Sequence, residues 1–305
     1  TTVVPDAKTV PDVNSGLVNS TIPGDVSTND EVPAGTTYGP APVATSQPGG
    51  STPVLTVQPD GSYTFVTDKP GVYEYDVPVK VPGYPDKTEK LVITVTDPNS
   101  NQNPPILNND ISTTSYETAI THNVVANDKA GNAGGVLGTP TIVSNGTLGT
   151  ATVNGDGTLT YAAGGVAGVD QVVYQVCETV GGGAPICATA IWTIDVLPVG
   201  SVNTTFAEDD YYTTVGTAAV SGNVKGNDTD PEGHTQTVQN SGTQVLAGQG
   251  TIVWDAGNNG AFTFTANPGF EGTVDIPYTT CDNVTPQACA SATLHIVVTP
   301  PVRKT

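Results

Sequence analysis

The chain has 305 residues, 29 of them acidic and 9 basic, for a net charge of −20. That sign disfavours nucleic acid and anionic membrane surfaces, both of which are read by Lys/Arg footprints, and it favours cations. Gly (35) and Pro (25) are too frequent for a helical protein, and no apolar run approaches the length of a membrane span.

The elements come in three rounds. The first runs over 1–98. It has an aspartate at Asp12, the turn "GDVSTND" ending at Asp30, a Gly turn feeding the alternating strand "DGSYTF" from Asp60, then "GVYEYDV", and a last strand "LVITVTDP" ending at Pro98. The second, 99–198, has Asp110, "HNVVAND" ending at Asp128, "DGTLTY" from Asp156, "GVDQVVY" and "IWTIDVLP" ending at Pro198. The third, 199–305, has Asp210, "GNVKGND" ending at Asp228, "NGAFTF" from Asn259, "GTVDIPY" and "LHIVVTP" ending at Pro300. The Asn-Asp pairs Asn29-Asp30, Asn127-Asp128 and Asn227-Asp228 stand 98 and 100 residues apart, and each follows its aspartate (Asp12, Asp110, Asp210) by 18. A fixed period of this length marks tandem repeats. The closing "PVRKT" reads as the start of a further linker. The absence of methionine, even at position 1, is what a mature or excised piece is expected to show.

Within each round, short segments rich in Thr and Val alternate in polarity, with turn signals about every ten residues. The fold class expected is all-β: three tandem immunoglobulin-like (cadherin-like) β-sandwich domains in an elongated array. Residues expected inward are Tyr63, Phe65, Leu91, Ile93, Leu159, Tyr161, Val173, Trp192, Ile194, Phe262, Phe264, Leu294 and Ile296. The four cysteines form two local pairs, Cys177/Cys187 and Cys281/Cys289, across Gly- or Pro-containing loops. Neither fits a common zinc spacing, so disulfides closing hairpins are expected, which places the chain in an oxidising, extracellular compartment.

The third round, from Asp210 through "GNVKGNDTDPEG" and "GAFTFTANPGFEGTVDIPYTTCD" to "CASATLHIVV", resembles the cadherin-like tandem repeats of large bacterial surface adhesins. The hairpin "VCETVGGGAPICATA" is similar to repeats in Bacteroidota proteins exported by the type IX system. The resemblance covers all three rounds. It implies an extracellular rod, stalk or filament, often stiffened by calcium.

Calcium takes six to eight hard oxygens. The best set expected is in the third round: Asn227, Asp228, Asp230 and Glu232 in one loop, with Asp209 and Asp210 arriving from the first strand. The alternative is a solvated turn in which Asn and Asp cap their own backbone. The first round offers Asp30 and Glu31 with Asp12 and Asp25. A weaker interdomain set is Asp97, Asn99 and Asn101, alternating before a proline as in a cadherin linker, although Ser100 stands where that linker carries an aspartate. The second junction, "LPVGSVNTT", has no acids, so packing and proline are expected to hold it.

Catalysis is not expected. The three histidines occupy non-equivalent positions, and no nucleophile elbow, phosphate loop, dinucleotide fingerprint or metalloprotease motif occurs. The function expected is a non-enzymatic structural or adhesive segment of a cell surface, whose partners are its neighbouring repeats and copies of itself in a fibre. The alternative is a module binding a surface glycan or protein.

Overall fold

The computed structural model describes residues 7–30, 32–198, 204–230 and 232–299. Glu31, most of the second junction and the closing "PVRKT" lie outside the described residues. Among the described residues the regular structure is strand, apart from one short 3-10 turn at Val224–Gly226.

Each unit is two sheets around one core. In unit one, the strand Asp12–Leu17 lies parallel to Lys87–Thr96, which pairs antiparallel with Gly71–Lys80, and Thr37–Tyr38 lies beyond. The opposing sheet joins Ile22–Asp25, Ser62–Val66 and Val54–Val57. Units two and three repeat this plan. Their first strands, Asp110–Ser115 and Asp210–Val215, again lie parallel to the last, Ile186–Leu197 and Cys289–Thr299. The registers are equivalent: Asp12, Asp110 and Asp210 stand opposite Leu91, Trp192 and Leu294. Three tandem Ig-like sandwiches are therefore what the sequence folds into.

The alternation decides which side chains fill each core. Phe65, Leu91 and Ile93 in unit one, Tyr161, Trp192 and Ile194 in unit two, and Phe264, Leu294 and Ile296 in unit three are fully buried. Each such side chain is worth about 1.5–3 kcal/mol over leaving it exposed. One inward expectation is corrected. Val173 faces away from the core, and its neighbours Val172 and Tyr174 point in. In "QVVYQV" the apolar run is continuous, so the period of two has no phase until the strand pairs. Both disulfides are formed, Cys177–Cys187 and Cys281–Cys289, each between directly opposed residues of a hairpin.

The units do not extend end to end as the sequence reading expected. Every pair is in contact, the first with the third included. Asn14 donates to Asp275 at 3.1 Å, and Ser15 Oγ to the Tyr211 hydroxyl at 2.6 Å. Lys8 of unit one pairs with Asp195 of unit two at 3.0 Å, and Lys129 of unit two lies 4.7 Å above the Tyr212 ring of unit three. Val10, Ile111 and Phe206, one from each unit, form an apolar knot. The reason lies in the last strands. Val92, Ile191 and Val297 are apolar on the face turned away from their own cores, and all three are buried. An apolar outer face is stable only when something covers it.

Candidate metal centre

The recurring Asn-Asp turn is a clasp on the entry strand. Asp30 Oδ1 accepts from Val10 N at 2.8 Å, Asp128 Oδ1 from Asn108 N at 2.8 Å, and Asp228 Oδ1 from Glu208 N at 3.0 Å. In all three the donor stands two residues before the first-strand aspartate. The amide of Asn127 donates to Asn109 O at 3.3 Å, and that of Asn227 to Asp209 O at 3.1 Å. Backbone bridges Ile106–Lys129 and Phe206–Thr229 continue the seam in units two and three. The turn and the strand 18 residues before it are thus pinned by charge-assisted bonds. Several oxygens stay unused. Asn29, Asn127 and Asn227 Oδ1, with Asp128 and Asp228 Oδ2, are buried without a hydrogen-bond partner.

Behind the clasp of units two and three sits a tyrosine. The Tyr278 hydroxyl lies 2.7 Å from Glu208 O, 3.0 Å from both Asp210 Oδ2 and Asp228 Oδ1, and 3.1 Å from Val224 O. Tyr174 repeats this with Asp110 Oδ2 at 2.7 Å and the carbonyls of Asn108 and Val124 at 3.0 Å. One hydroxyl proton among several acceptors leaves an excess of lone pairs, which a proton or a cation must balance. Burial raises the carboxyls accordingly: Asp228 is pushed up to about 7, and Asp210 and Asp128 stand well above the usual carboxylate range.

The six residues expected to share one ion divide into three places. Asp210 and Asp228 meet at the Tyr278 hydroxyl, and Asn227 donates to the backbone beside them, at Asp209 O. Asp209, next in the chain to Asp210 but on the opposite face of the strand, accepts from Thr293 N at 2.7 Å and lies 3.5 Å from His295 Nε2. Asp230 and Glu232 lie further along the loop. Asp230 Oδ1 caps the amides of Glu232 and His234, and the Glu232 carboxylate holds Thr204. Asp230, Glu232 and His234 form a second convergent group, with one ligand atom from each lying within 4.8 Å of the others. In the first junction, Asp97 Oδ1 accepts from Asn99 N at 2.9 Å, while Asn99 and Asn101 are exposed. The junction is organised by Asn103, whose side chain accepts from Asp97 N and donates to Asp97 O and Ser100 O.

Two residues that the sequence reading passed over matter here. Glu208 is 1 % exposed, and neither of its carboxylate oxygens has a hydrogen-bond partner. Its Oε1 is 3.8 Å from His122 Nε2 of unit two, which is itself 3.1 Å from Asp110 Oδ1. These three ligand atoms converge within 4.8 Å, beside a cleft of about 460 Å³ that Asn127, Asp210 and Asn227 also line. His122 lies opposite Leu159 in its strand pair, and nothing in the sequence ties it to a residue of the next unit. Glu208 precedes the paired Asp209-Asp210, and its position in that acidic run was the available signal.

The remaining histidine is electrostatic. Burial opposes the charge on His295, but Asp275 at 2.8 Å and Asp209 together raise it to about 10. It is a buried cation between two carboxylates.

Residues 101–194 and 201–297, more than half of the chain, match the bacterial Ig domain family. The chain belongs to that family. No curated protein matches it. Among solved structures it is similar to Drosophila N-cadherin EC1-4, at 12% identity over 95% of this chain and 74% of that one, with a TM-score of 0.31. It is also similar to mouse cadherin-23 EC22-24, at 14% identity over 95% and 96% with a TM-score of 0.24, and to the endo-fucoidan hydrolase MfFcnA4 of glycoside hydrolase family 107, at 14% over 96% and 43% with a TM-score of 0.23. Both matched Ig domains carry the clasp, the tyrosine behind it and a hairpin disulfide. Such repeats are consistent with an adhesive or structural extracellular role.

Proposed function

We propose that the chain is a non-enzymatic structural and adhesive segment of a bacterial cell surface, from a type IX-exported protein whose repeats build a rod or filament. The observation that carries this reading is the repeated clasp. Each unit commits the aspartate of its Asn-Asp pair to a backbone amide of its own entry strand, and two units add a disulfide across a hairpin. Side chains tied to backbone amides in this way hold a shape. Contacts between units one, two and three add a joint that resists bending, so the three-unit block is the element that such a filament would repeat.

Calcium stiffening belongs to this reading. Asp228 Oδ2 and Asn227 Oδ1 are unpartnered hard oxygens, and Asp210 and Glu208 supply further carboxylates beside them. Asp230 and Glu232 lie further along the same loop, Asp209 is held on the other face beside His295, and Asp97, Asn99 and Asn101 are the weaker junction set. A chelator is expected to lower the melting temperature of the chain, and Asp228→Ala with Asp230→Ala to remove that dependence. An unchanged melting temperature on chelation counts against the calcium reading. Scattering that gives the same compact particle for longer tandem constructions of this chain, with no growth in length, counts against the filament. The alternative is a glycan- or protein-binding module, and a reproducible hit on a glycan array favours it.

A further inference from the structure

The second junction has no acids in its linker, yet the units on either side of it meet around a histidine. His122 Nε2 faces two carboxylates, one from each unit: Asp110 Oδ1 of unit two at 3.1 Å and Glu208 Oε1 of unit three at 3.8 Å. One ligand atom from each of the three residues lies within 4.8 Å of the others. Around a tetrahedral ion with bonds of about 2.0–2.1 Å, neighbouring ligand atoms stand about 3.3 Å apart. The two distances at Nε2 bracket that value.

Each member of the trio is held in place by other groups. Asp110 Oδ2 accepts from the Tyr174 hydroxyl at 2.7 Å, and the Asn127 amide approaches Oδ1 at 3.3 Å. The His122 ring stacks on Trp192, with centroids 5.8 Å apart, and Trp192 is held by Ser112 Oγ at 2.8 Å. Glu208 is pinned through its backbone: its amide donates to Asp228 Oδ1 and its carbonyl accepts from the Tyr278 hydroxyl. Its carboxylate, aimed at His122, has no hydrogen-bond partner on either oxygen, and the nearby Ile111 amide does not complete one. Ile111 of unit two and Phe206 of unit three pack together, which sets the spacing of the two units at this point. A buried carboxylate without a donor needs a positive partner. A proton on His122 supplies one charge against two carboxylates, whereas a divalent ion on the neutral ring supplies two. Lys129, which lines the same cleft, is turned over the Tyr212 ring at 4.7 Å. The His295 group differs, because Asp209 and Asp275 each accept a further hydrogen bond, from Thr293 N and Asn14.

We propose that His122, Asp110 and Glu208 bind a divalent transition metal of the zinc class, and that the ion staples unit two to unit three. One imidazole nitrogen with two carboxylates suits zinc, whereas calcium takes six to eight oxygens. The cleft of about 460 Å³ beside the trio gives the ion a way in and leaves room for water at a remaining position. The staple rests on neither the calcium reading nor the surface role. Glu208 is the one residue it shares with the calcium set of unit three, so His122, which offers no oxygen, tells the two apart.

The test uses the whole chain, stripped of metal and titrated with zinc by calorimetry in excess calcium, and with cobalt(II) followed by its visible absorption bands. The native chain is expected to bind a zinc ion that His122→Ala and Glu208→Gln each weaken at least about tenfold, and to show a cobalt spectrum that both variants lose. Zinc should raise the melting temperature of the native chain and not that of His122→Ala. The His122 side chain is 20% exposed, so its removal keeps the test open if Glu208→Gln misfolds. The proposal is overturned if His122→Ala leaves zinc binding as it was, or if excess calcium displaces the zinc. It is equally overturned if the native chain binds no zinc, which would assign the trio a proton on His122. Zinc lost on His234→Ala and kept on His122→Ala would place the ion with Asp230 and Glu232, and overturns it too.

Discussion

Units one and three grip their entry strands with the same Asn-Asp clasp but fill the space behind it in opposite ways. Unit three places the Tyr278 hydroxyl between Asp210 and Asp228, opposite the small Ala292. Unit one has Val77 opposite the buried Glu89 at that pair of positions, and its clasp aspartate Asp30 takes its hydroxyl donor from elsewhere, Tyr38 at 2.6 Å. They also differ on the outer face. Unit three carries His295 between Asp209 and Asp275, where unit one carries the apolar Val92. One backbone plan thus tolerates a neutral donor, a buried cation or an excess of negative charge, provided that each is balanced locally.

The largest expected effect comes from removing the balance in unit three. His295→Leu leaves Asp209 and Asp275 without their cation and is expected to cost about 3–5 kcal/mol, measured by guanidinium unfolding. The pH dependence follows from the same pair. His295 is held at about 10 when folded, against 6.5 when free. Its contribution is therefore complete below about pH 6.5 and is lost as pH rises through about 10. The native chain should lose stability over that window, and His295→Leu should not show that loss.

Next in size are the disulfides, which separate units two and three from unit one. Opening Cys281–Cys289, whose residues are 8 apart, is expected to cost about 2–3 kcal/mol by loop entropy. Cys177–Cys187 encloses only a slightly longer loop and should cost nearly the same. A difference of more than about 1 kcal/mol between the two Cys→Ser pairs would show that strain or residual structure outweighs loop closure.

How much of this could be read from the chain depends on whether a signal was local. The three Asn-Asp turns, the strand alternation and the cysteine pairs are local, and they located the repeats and both disulfides. The partner of each Asn-Asp aspartate was not legible, because it is a backbone amide 20 residues earlier, such as Val10 N for Asp30. Glu89 was hidden for a different reason. In "KTEKLVITV" a charged residue at the start of a strand reads as surface, although the period of two that turns Leu91 and Ile93 inward also turns Glu89 inward, opposite Val77. Glu178 shows that burial alone is not the signal. It is fully buried, yet it is satisfied by Gly131 N, Asn132 N and the Asn132 amide, helped by Gly135, where a Cβ would come within 1.9 Å of its oxygen. The packing of the units against each other was illegible because Val92, Ile191 and Val297 belong to runs that are apolar on both faces.

A smaller effect tests the hydroxyl itself. Tyr278→Phe keeps the ring and removes the one donor that, among the described residues, Asp210 and Asp228 share, so it is expected to cost about 1–3 kcal/mol in metal-free protein. If unit three holds calcium, added calcium should recover part of that loss, because the ion supplies the positive partner that the hydroxyl had supplied. No recovery would leave Tyr278 as a purely structural donor.

The smallest change in energy is the most direct trial of the comparison. Val77→Tyr with Glu89→Ala writes the pair found in unit three into unit one. The new ring is placed so that its hydroxyl stands beside Asp12 and Asp30, as that of Tyr278 stands beside Asp210 and Asp228. Deleting one of three buried carboxyls also removes repulsion. The double variant should therefore match or slightly exceed the native chain in stability, by about 1 kcal/mol or less. Glu89→Ala alone leaves a cavity and adds no donor to the Tyr38 hydroxyl already on Asp30, and should fall below it. If the two variants are equally stable, the tyrosine and the glutamate are not alternatives for one task, and the likeness of the three pockets ends at the clasp.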